Sequence, residues 1–339
     1  MPTVLDGRVR LDFVTPADLD LETADAMAAL ARASQAADGV DVTTPSGPTR
    51  LTMYQHSSDG TPFAGIWLAR DGDRLLGYAS AFQPQRENTD AVNLSGAVSV
   101  DSRREGVGRA LLDAVLEHGA AAGRTKAYSG AMAGGESQKA MEAMGFDQIH
   151  TYAINRLDLF AAPRERWQRL YDEAARSAGD YELVRLVGAT PDERVEDVVA
   201  LFAVMADAPR TDPDAEVDRF DADRVRAYDA AMAGRRQTVH RVMARHRGTG
   251  EWVGHTVLCV DEFDPSVGHQ EDTSVVRAHR GHRLGLLLKA DLLRWVTEER
   301  PEMSATETWN STGNHHVLAV NEVLGTQQAA RYASMRRVG

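Results

Sequence analysis

Apolar residues along this chain follow two spacings, and the succession of spacings occurs twice. Runs with alternate apolar residues are typical of half-buried strands, and stretches with apolar residues three or four apart are typical of helices packed on a sheet. The predicted order in each half is a strand, a helix, three strands, a helix, a strand, a helix and a final strand, and the second half has a further helix before its three strands. An interleaved order of this kind predicts an α/β fold with mixed sheets and flanking helices.

The first half contains five predicted strands, one or two predicted closing strands and three predicted helices. The five strands are at 9–14, 64–70, 74–82, 91–100 and 126–131, and the closing segment is at 146–159. The helices are at 18–37, directly after residue 108, and at 137–144, with a loop around Pro45 and Pro48 as helix breakers.

A predicted linker helix at 162–178 leads into the second half. Its strands are predicted at 181–187, 237–246, 251–263, 268–276, 305–309 and 329–335, and its helices at 191–206, 222–233, 286–297 and 314–323. The second half has a short tail, with about one strand after Gly325.

Matching residues recur at a nearly constant distance. Arg103 and Arg280 are 177 residues apart, as are Gly108 and Gly285, and the later glycines of the two halves are 180 apart. A fixed period over the whole unit indicates one domain present twice. The predicted boundaries are 1–160 for the first domain, 161–179 for the linker helix and 180–339 for the second domain.

The most informative repeated segment is a strand, a basic glycine-containing turn and the start of a helix. It runs from Val98 to Gly108 in the first copy and from Val275 to Gly285 in the second. The first backbone N–H groups of a helix have no partner within the helix and lie at its positive end, which suits a phosphate or pyrophosphate. Each copy is therefore predicted to bind a phosphorylated ligand.

Composition and charge exclude several classes of protein. The chain has 339 residues, a net charge of -12 and one cysteine, Cys259, so neither a nucleic-acid surface nor a disulfide or Cys-based metal framework is expected. No segment has the apolar length of a signal peptide or a membrane span, so we expect a cytoplasmic protein without membrane partners. No metal is expected either, because the conspicuous histidines lack ligand spacing: His279, His282, His315 and His316. The acidic stretch 212–223 is predicted to be a solvated loop.

The turn pattern is Arg or Gln, two intervening residues, Gly, one intervening residue and then Gly or Ala, placed between a Val-containing strand and an amphipathic helix. It resembles the acetyl-CoA-binding motif of the GNAT acyltransferase superfamily. Met-Gly145-Phe146 and Leu-Gly325-Thr326 complete the resemblance in the two copies. The chain thus resembles a tandem GNAT protein, the arrangement of mycothiol synthase. The resemblance implies two domains, each with a mostly antiparallel central sheet, a splayed central strand pair and flanking helices.

The resemblance also implies an activity and a cosubstrate. Acetyl-CoA would donate an acetyl or similar acyl group directly to the primary amine of a small molecule, in a ternary complex, and the protein would be a monomer or homodimer. By position, the coenzyme contacts in the first copy are Val98, Val100, Arg103, Arg104, Glu105, Gly106, Val107 and Gly108. Those in the second copy are Val275, Val276, Arg277, Arg280, Gly281, His282, Arg283, Leu284 and Gly285. Arg283 stands where the family usually has glycine, and we expect phosphate binding to survive.

Two further positions carry over from the family. The Asn that contacts the pantetheine arm corresponds to Asn314, whereas the first copy has Gly134. The position of a Tyr that often protonates the leaving thiolate is Met141 in the first copy and Asn321 in the second. A general acid must therefore come from elsewhere, and Tyr332 is a candidate.

Candidate bases occur in only one copy. Strand alternation places His269, Glu271 and Thr273 on the face of Val275, with Asp272 on the other face unless a bulge shifts the register. The equivalent strand 91–98 has no titratable side chain. The second copy is therefore predicted to be catalytic, with Glu271 and His269 as bases and Asp272 next. Two alternatives stay open: an active first copy, or a non-catalytic CoA-binding sensor.

Overall fold

A computed structural model describes residues 4–5, 8–161, 164–204 and 212–339. The strands and helices of its first half are β1 (Val4–Leu5), β2 (Val9–Val14), α1 (Leu21–Ala37), α2 (Gly47–Gln55), β3 (Gly65–Asp71), β4 (Arg74–Phe82), β5 (Ala91–Val98), α3 (Val107–Ala121), β6 (Lys126–Met132), α4 (Glu136–Ala143) and β7 (Asp147–Asp158).

The second half begins with a helix and ends with a strand. Its elements are α5 (Arg164–Ser177), β8 (Tyr181–Val187), α6 (Val195–Ala203), α7 (Ala222–Gly234), β9 (Gln237–His246), β10 (Trp252–Asp261), β11 (Asp264–Val275), α8 (Leu284–Glu299), β12 (Ala305–Ser311), α9 (His315–Leu324) and β13 (Gln327–Val338). The predicted α/β fold class, with mixed sheets and flanking helices, is confirmed.

The chain forms two compact units. Unit 1 comprises residues 1–152, 211–216 and 330–339, and unit 2 comprises 153–210 and 217–329. Among the described residues, we find no helix with the length and apolar character of a membrane span.

The sheet of unit 1 has the strand order β1-β2-β3-β4-β5-β6-β13. Its neighbours are antiparallel except β5 and β6, which pair in parallel only from Ala91 opposite Lys126 to Asn93 opposite Tyr128. The apolar face of α3, with Leu111 and Val115, packs in one cluster on this sheet, and α1 belongs to a second cluster with Ile66, Leu68 and Tyr78. Helices therefore flank the sheet, as amphipathic spacing predicts.

The sheet of unit 2 has the order β7-β12-β11-β10-β9-β8, with residues 153–158 of β7 lying in this unit. The leucines of α8 pack with Trp167 of α5 and with Leu258 and Val260 of β10. Successive side chains of β10 point to opposite faces of the sheet, and on the other face Val257 and Cys259 pack with Met232 of α7. One face of the sheet is thus covered by α5 and α8, which we call the α8 face, and the other by α7, the α7 face.

The structure corrects the predicted loop around Pro45 and Pro48, because helix α2 lies there. Ser46 caps it by accepting a hydrogen bond from the Thr49 backbone N–H at 3.3 Å. Pro48 stands in the first turn, where a missing N–H costs nothing. Pro48 therefore stands at the start of a helix and does not break one.

The closing segment of the first copy, predicted to form one or two strands, forms one strand, and the two compact units have other boundaries than the predicted domains. Each copy has one closing strand of 12 residues, and the two strands, β7 and β13, start 180 residues apart. Each strand begins in one unit and ends in the other, so unit 1 contains the C-terminal residues 330–339. The predicted linker helix belongs to unit 2 as α5; residues 162–163 of that prediction, and 205–206 of the predicted helix 191–206, lie outside the described residues.

Part of the acidic stretch 212–223 is buried, contrary to the predicted solvated loop. Asp212, in unit 1, is 5% exposed. Its carboxylate accepts hydrogen bonds from the Tyr128 hydroxyl at 2.7 Å and from Arg336 Nη1 at 3.0 Å. These bonds stabilise the ionised carboxylate, and the pKa of Asp212 is lowered despite its burial.

Candidate functional site

The basic turn of unit 2 has two left-handed backbone positions directly before a helix. Gly281 has φ +90° and Arg283 has φ +56°, and α8 begins at the next residue, Leu284. In unit 1 the corresponding positions are Arg104 (φ +67°) and Gly106 (φ +86°), so glycine and arginine have exchanged places. The left-handed conformation costs a non-glycine residue roughly 1–2 kcal/mol. The geometry of the turn is thus retained in unit 2 although Arg283 replaces the expected glycine.

A cavity of about 860 Å³ opens in front of this turn in unit 2. It is lined by residues 273–275 of β11, by 279–281 and 283–286 at the start of α8, by Lys289, and by 313–317 before and within α9. No described residue provides a side-chain cap for α8, so its first N–H groups are available to a ligand. Arg280 and Arg283 add positive charge, and the lining also includes Leu286, Val320 and Val323. The cavity therefore suits a ligand that has phosphate groups and an extended, partly apolar arm.

The central strands of unit 2 separate beside the cavity. β11 and β12 pair in parallel from Val267 opposite Ala305 to Gln270 opposite Thr308, and both strands continue beyond that pair. The cavity is lined by Thr273 and Val275 on one strand and by Gly313 just after the other. The cavity therefore lies where the two strands diverge.

The arginines of the two turns differ in their partners. In unit 1, Arg103 Nη1 is 2.8 Å from an Asp38 carboxylate oxygen, and Arg104 Nη2 is 3.1 Å from a Glu136 carboxylate oxygen. In unit 2, Arg280 donates from Nε to the Val275 carbonyl at 3.0 Å, and Arg283 is 3.7 Å from Glu173. The positive charge of the unit 1 turn is thus more closely compensated within the protein.

A β-bulge in β11 changes the predicted orientation of the candidate bases. His269 is opposite Cys259 of β10, Gln270 is opposite Leu258, and Thr273 is opposite Thr256. Glu271 and Asp272 therefore share one position, opposite Val257. The prediction that His269 and Thr273 lie on one face is wrong, because the extra residue reverses the alternation.

Hydrogen bonds agree with this register. The hydroxyls of Thr273 and Thr256 are 2.8 Å apart, and Gln270 Nε2 donates to the Thr256 hydroxyl at 3.1 Å, so these three residues share the α8 face. On the α7 face, the Tyr228 hydroxyl donates to Glu271 Oε2 at 2.6 Å and is 3.4 Å from Cys259 Sγ. His269 is opposite Cys259 on the neighbouring strand, so its side chain also lies on the α7 face.

Two acidic side chains at the bulge have different environments. Glu271 is exposed, whereas Asp272 is partly buried. Burial and the neighbouring Glu271 charge raise the pKa of Asp272 to about 6, against the opposing effect of Arg241. Burial likewise raises the pKa of the Tyr228 hydroxyl well above its usual range, so this group stays protonated and donates to Glu271.

The remaining predicted residues are distributed differently from expectation. Asn314 lines the cavity, and its Oδ1 also caps α9 by accepting from the Val317 N–H at 3.3 Å. Asn321 is 1% exposed, and its Oδ1 accepts a hydrogen bond from Lys289 Nζ at 2.8 Å. Tyr332 belongs to unit 1, where it is opposite Met132 of β6, whereas the cavity described above lies in unit 2.

Lys289 is a residue that the sequence analysis missed. It follows Leu286-Leu-Leu288 in the apolar segment of α8, at the position of Leu112 in the first copy. A lysine on the apolar face of a helix, where its duplicate has leucine, was the available signal. Among the described residues, no group of three or more His, Cys, Asp or Glu side chains is arranged to hold a metal.

Comparison with known proteins finds similarity over part of the chain in some cases and over nearly the whole chain in others. Residues 32–146 match the model of the Acetyltransferase (GNAT) family. Mycothiol acetyltransferase from Kytococcus sedentarius is 35% identical over 104 residues, which are 31% of this chain and 30% of that protein. The similarity therefore spans less than a third of this relative's length.

Two solved structures share the fold over nearly the whole chain. A tandem GNAT protein from the clavulanic acid biosynthesis pathway has a TM-score of 0.78 and 25% identity, covering 97% of this chain and 98% of that one. A GCN5-related N-acetyltransferase from Sphaerobacter thermophilus has a TM-score of 0.69 and 16% identity, covering 99% of this chain and 97% of that one. The predicted tandem arrangement of this fold is confirmed.

Proposed function

We propose that this chain, whose residues 32–146 match the model of the Acetyltransferase (GNAT) family and whose fold resembles that of a tandem GNAT protein, is an acyl-CoA-dependent N-acyltransferase. The acceptor is the primary amine of a small molecule, the acyl group is acetyl or similarly short, and unit 2 is the active unit. The observation that carries the proposal is the cavity of about 860 Å³ in unit 2, where an uncapped helix start, two arginines and diverging strands meet.

Different residues around the cavity bind different parts of acyl-CoA. The first N–H groups of α8, with Arg280 and Arg283, hold the diphosphate. The space between β11 and β12 takes the pantetheine arm and directs the thioester towards the bulge. Acyl-CoA supplies an activated acyl group, and the protein supplies orientation and proton transfer.

The Glu271–Asp272 pair is the proposed base. Asp272, with a pKa raised to about 6, is ionised at neutral pH yet basic enough to accept a proton from the attacking amine. Tyr228 holds the Glu271 carboxylate in place through its hydrogen bond of 2.6 Å. His269 remains on the α7 face with Glu271 as a second candidate base.

The acyl group passes directly from the thioester to the amine. The alternative, a covalent intermediate on Cys259, would need a thiolate. Cys259 is 2% exposed, and burial raises the pKa of its thiol well above the usual range. A buried thiol of this kind is a poor nucleophile.

The function is tested by thiol release from acetyl-CoA with a panel of primary amines: amino acids, amino sugars and polyamines. We expect thiol release above the hydrolytic background with at least one amine, and saturable binding of CoA by calorimetry. Binding of CoA without thiol release for any amine would indicate a sensor protein, and absence of both would contradict the proposal.

The base assignment predicts a pH dependence. Replacing Asp272 by Asn should lower kcat/KM on the order of 100-fold and remove the acid limb, in which activity rises with pH through about 6. Glu271→Gln should shift that limb to lower pH, because removal of the neighbouring charge lowers the pKa of Asp272. An unchanged limb in Asp272→Asn would exclude Asp272, and loss of the limb in His269→Asn would assign the base to His269.

An active unit 1 is the second candidate, because the family model matches residues 32–146, within the first copy. In that case thiol release would depend on the turn that contains Arg103 and Gly108. The close pairing of Arg103 with Asp38 favours unit 2 instead, since a compensated arginine attracts a diphosphate less strongly.

A further inference from the structure

Lys289 is a buried amine in the wall of the unit 2 cavity. Its side chain lies on α8, one turn after the N–H groups of the helix start, and the residue is 3% exposed. Its Nζ donates to Asn321 Oδ1 at 2.8 Å. Among the described residues, no carboxylate is paired with it, and burial alone lowers the pKa of Lys289 to about 7.

The amide that receives this hydrogen bond is itself held in place. Asn321 Nδ2 donates to Asn310 Oδ1 at 2.7 Å, and the same oxygen accepts from Asn155 Nδ2 at 3.3 Å. The orientation of Asn321 is thereby fixed, with its oxygen towards Lys289. The network gives Nζ a neutral acceptor and no counter-ion, so the amine can exist with or without its extra proton near neutral pH.

The duplicated chain provides an internal comparison. Leu112 occupies the corresponding position of α3, is 4% exposed and packs in the apolar core of unit 1. Leucine therefore satisfies the packing requirement at this position, whereas burying a lysine without a counter-ion costs free energy. Lysine occupies this position only in unit 2, where the arginines of the turn are less closely paired with carboxylates. This difference indicates a chemical role for Lys289.

Other titratable groups around the cavity fit that role less well. Arg280 and Arg283 lie at the turn, where they are assigned to the diphosphate. His279 is bonded to the Tyr181 hydroxyl through Nδ1 at 3.0 Å, and its Nε2 is 3.5 Å from Glu251. His315 and His316 are exposed. Lys289 is therefore the buried proton donor of this wall.

We propose that Lys289 is the general acid of the transfer, protonating the sulfur that leaves; this rests on the proposed function. The amine nitrogen forms a bond to the acyl carbon, and the carbon–sulfur bond breaks with its electron pair on sulfur. Lys289 gives one proton to sulfur, while the Glu271–Asp272 pair takes one from the amine nitrogen. Solvent then reprotonates Lys289 and removes the proton from the carboxylate pair. The net products are the amide and the free thiol.

The test replaces Lys289 by Met, which keeps length and apolar packing but has no proton, and by Leu, the residue of the first copy. We expect kcat to fall on the order of 100-fold with an acyl-CoA donor, with a change in Kd for CoA of less than about threefold by calorimetry. The alkaline limb of the kcat/KM profile, in which activity falls as pH rises through about 7, should disappear. Leu112→Met is the matched control at the duplicate position, and it should change neither quantity.

A readout independent of turnover measures the amine itself. Nitrogen NMR of lysine-labelled wild-type protein, assigned with Lys289→Met, should show one lysine that titrates near pH 7. A lysine resonance at Lys289 that titrates above pH 9, or an alkaline limb that persists in Lys289→Met, would overturn the general-acid role alone. Absence of thiol release by the wild type with every amine would overturn the proposed function, and the general-acid role with it.

Discussion

Replacing Gly285 by Trp should abolish thiol release, whereas the same replacement at Gly108 should reduce it less than tenfold. Both glycines are the second residue of a helix that follows the basic turn, 177 residues apart. Comparison of the two variants therefore shows which copy of the turn binds the coenzyme.

The physical reason lies in the space around Gly285. A Cβ at this position would meet no atom within 4 Å, and Gly285 lines the cavity, so a large side chain would occupy the space of the diphosphate and block the helix N–H groups. A Cβ at Gly108 would lie 3.5 Å from Val98 Cγ2, which is ordinary contact. Neither variant strains the backbone through positive φ, because neither glycine has it.

Thiol release and calorimetric binding of CoA measure the outcome, with circular dichroism to establish that each variant folds. Gly285→Ala is the matched control, and it should retain most binding because a methyl group leaves the cavity open. Loss of activity in Gly108→Trp with activity retained in Gly285→Trp would assign catalysis to unit 1.

Removing residues 330–339 should unfold unit 1 while unit 2 keeps its helices and strands. Seven residue pairs join β13 to β6, from Tyr332 opposite Met132 to Val338 opposite Lys126. Ala333 and Met335 are fully buried in the cluster that contains Leu111 of α3. Loss of a full strand with its buried side chains exceeds the few kcal/mol by which a domain of this size is stable.

Hydrogen exchange followed by peptide separates the two units. In the truncated chain, amides of α3 and β6 should lose protection, and those of α8 and β10 should keep most of theirs. Met335→Ala provides a graded variant, expected to cost about 2–5 kcal/mol in unit 1, and Arg331→Ala is an exposed control nearby. Full protection of α3 in the truncated chain would show that unit 1 does not need its last strand.

Local signals were sufficient to predict most elements and the duplicated fold. The apolar spacing of α3 and α8 and the glycine-containing turns before them depend on neighbouring residues, so a sequence alone contains them. The 177-residue spacing between matching residues indicated that the fold predicted for one half is present in the other half as well. Helix α2 was missed because Pro48 was interpreted as a breaker, although it occupies the first turn after a serine cap.

The other differences depend on residues distant in sequence. The bulge at Glu271 and Asp272 exists only in the register with β10, so strand alternation alone placed Thr273 with His269. Asp212 is buried because Tyr128 and Arg336 surround it, and neither is near it in the chain. A pattern within one segment carries no information on such partners.

The position of β13 determines when the protein can complete its fold during synthesis. Ala330–Gly339 supply the strand beside β6, yet in the chain they follow the residues of unit 2. The sheet of unit 1 therefore stays open along one edge until unit 2 has been synthesised, although its other strands emerged some two hundred residues earlier. A stop codon or frameshift in the segment that encodes unit 2 would thus also prevent completion of unit 1.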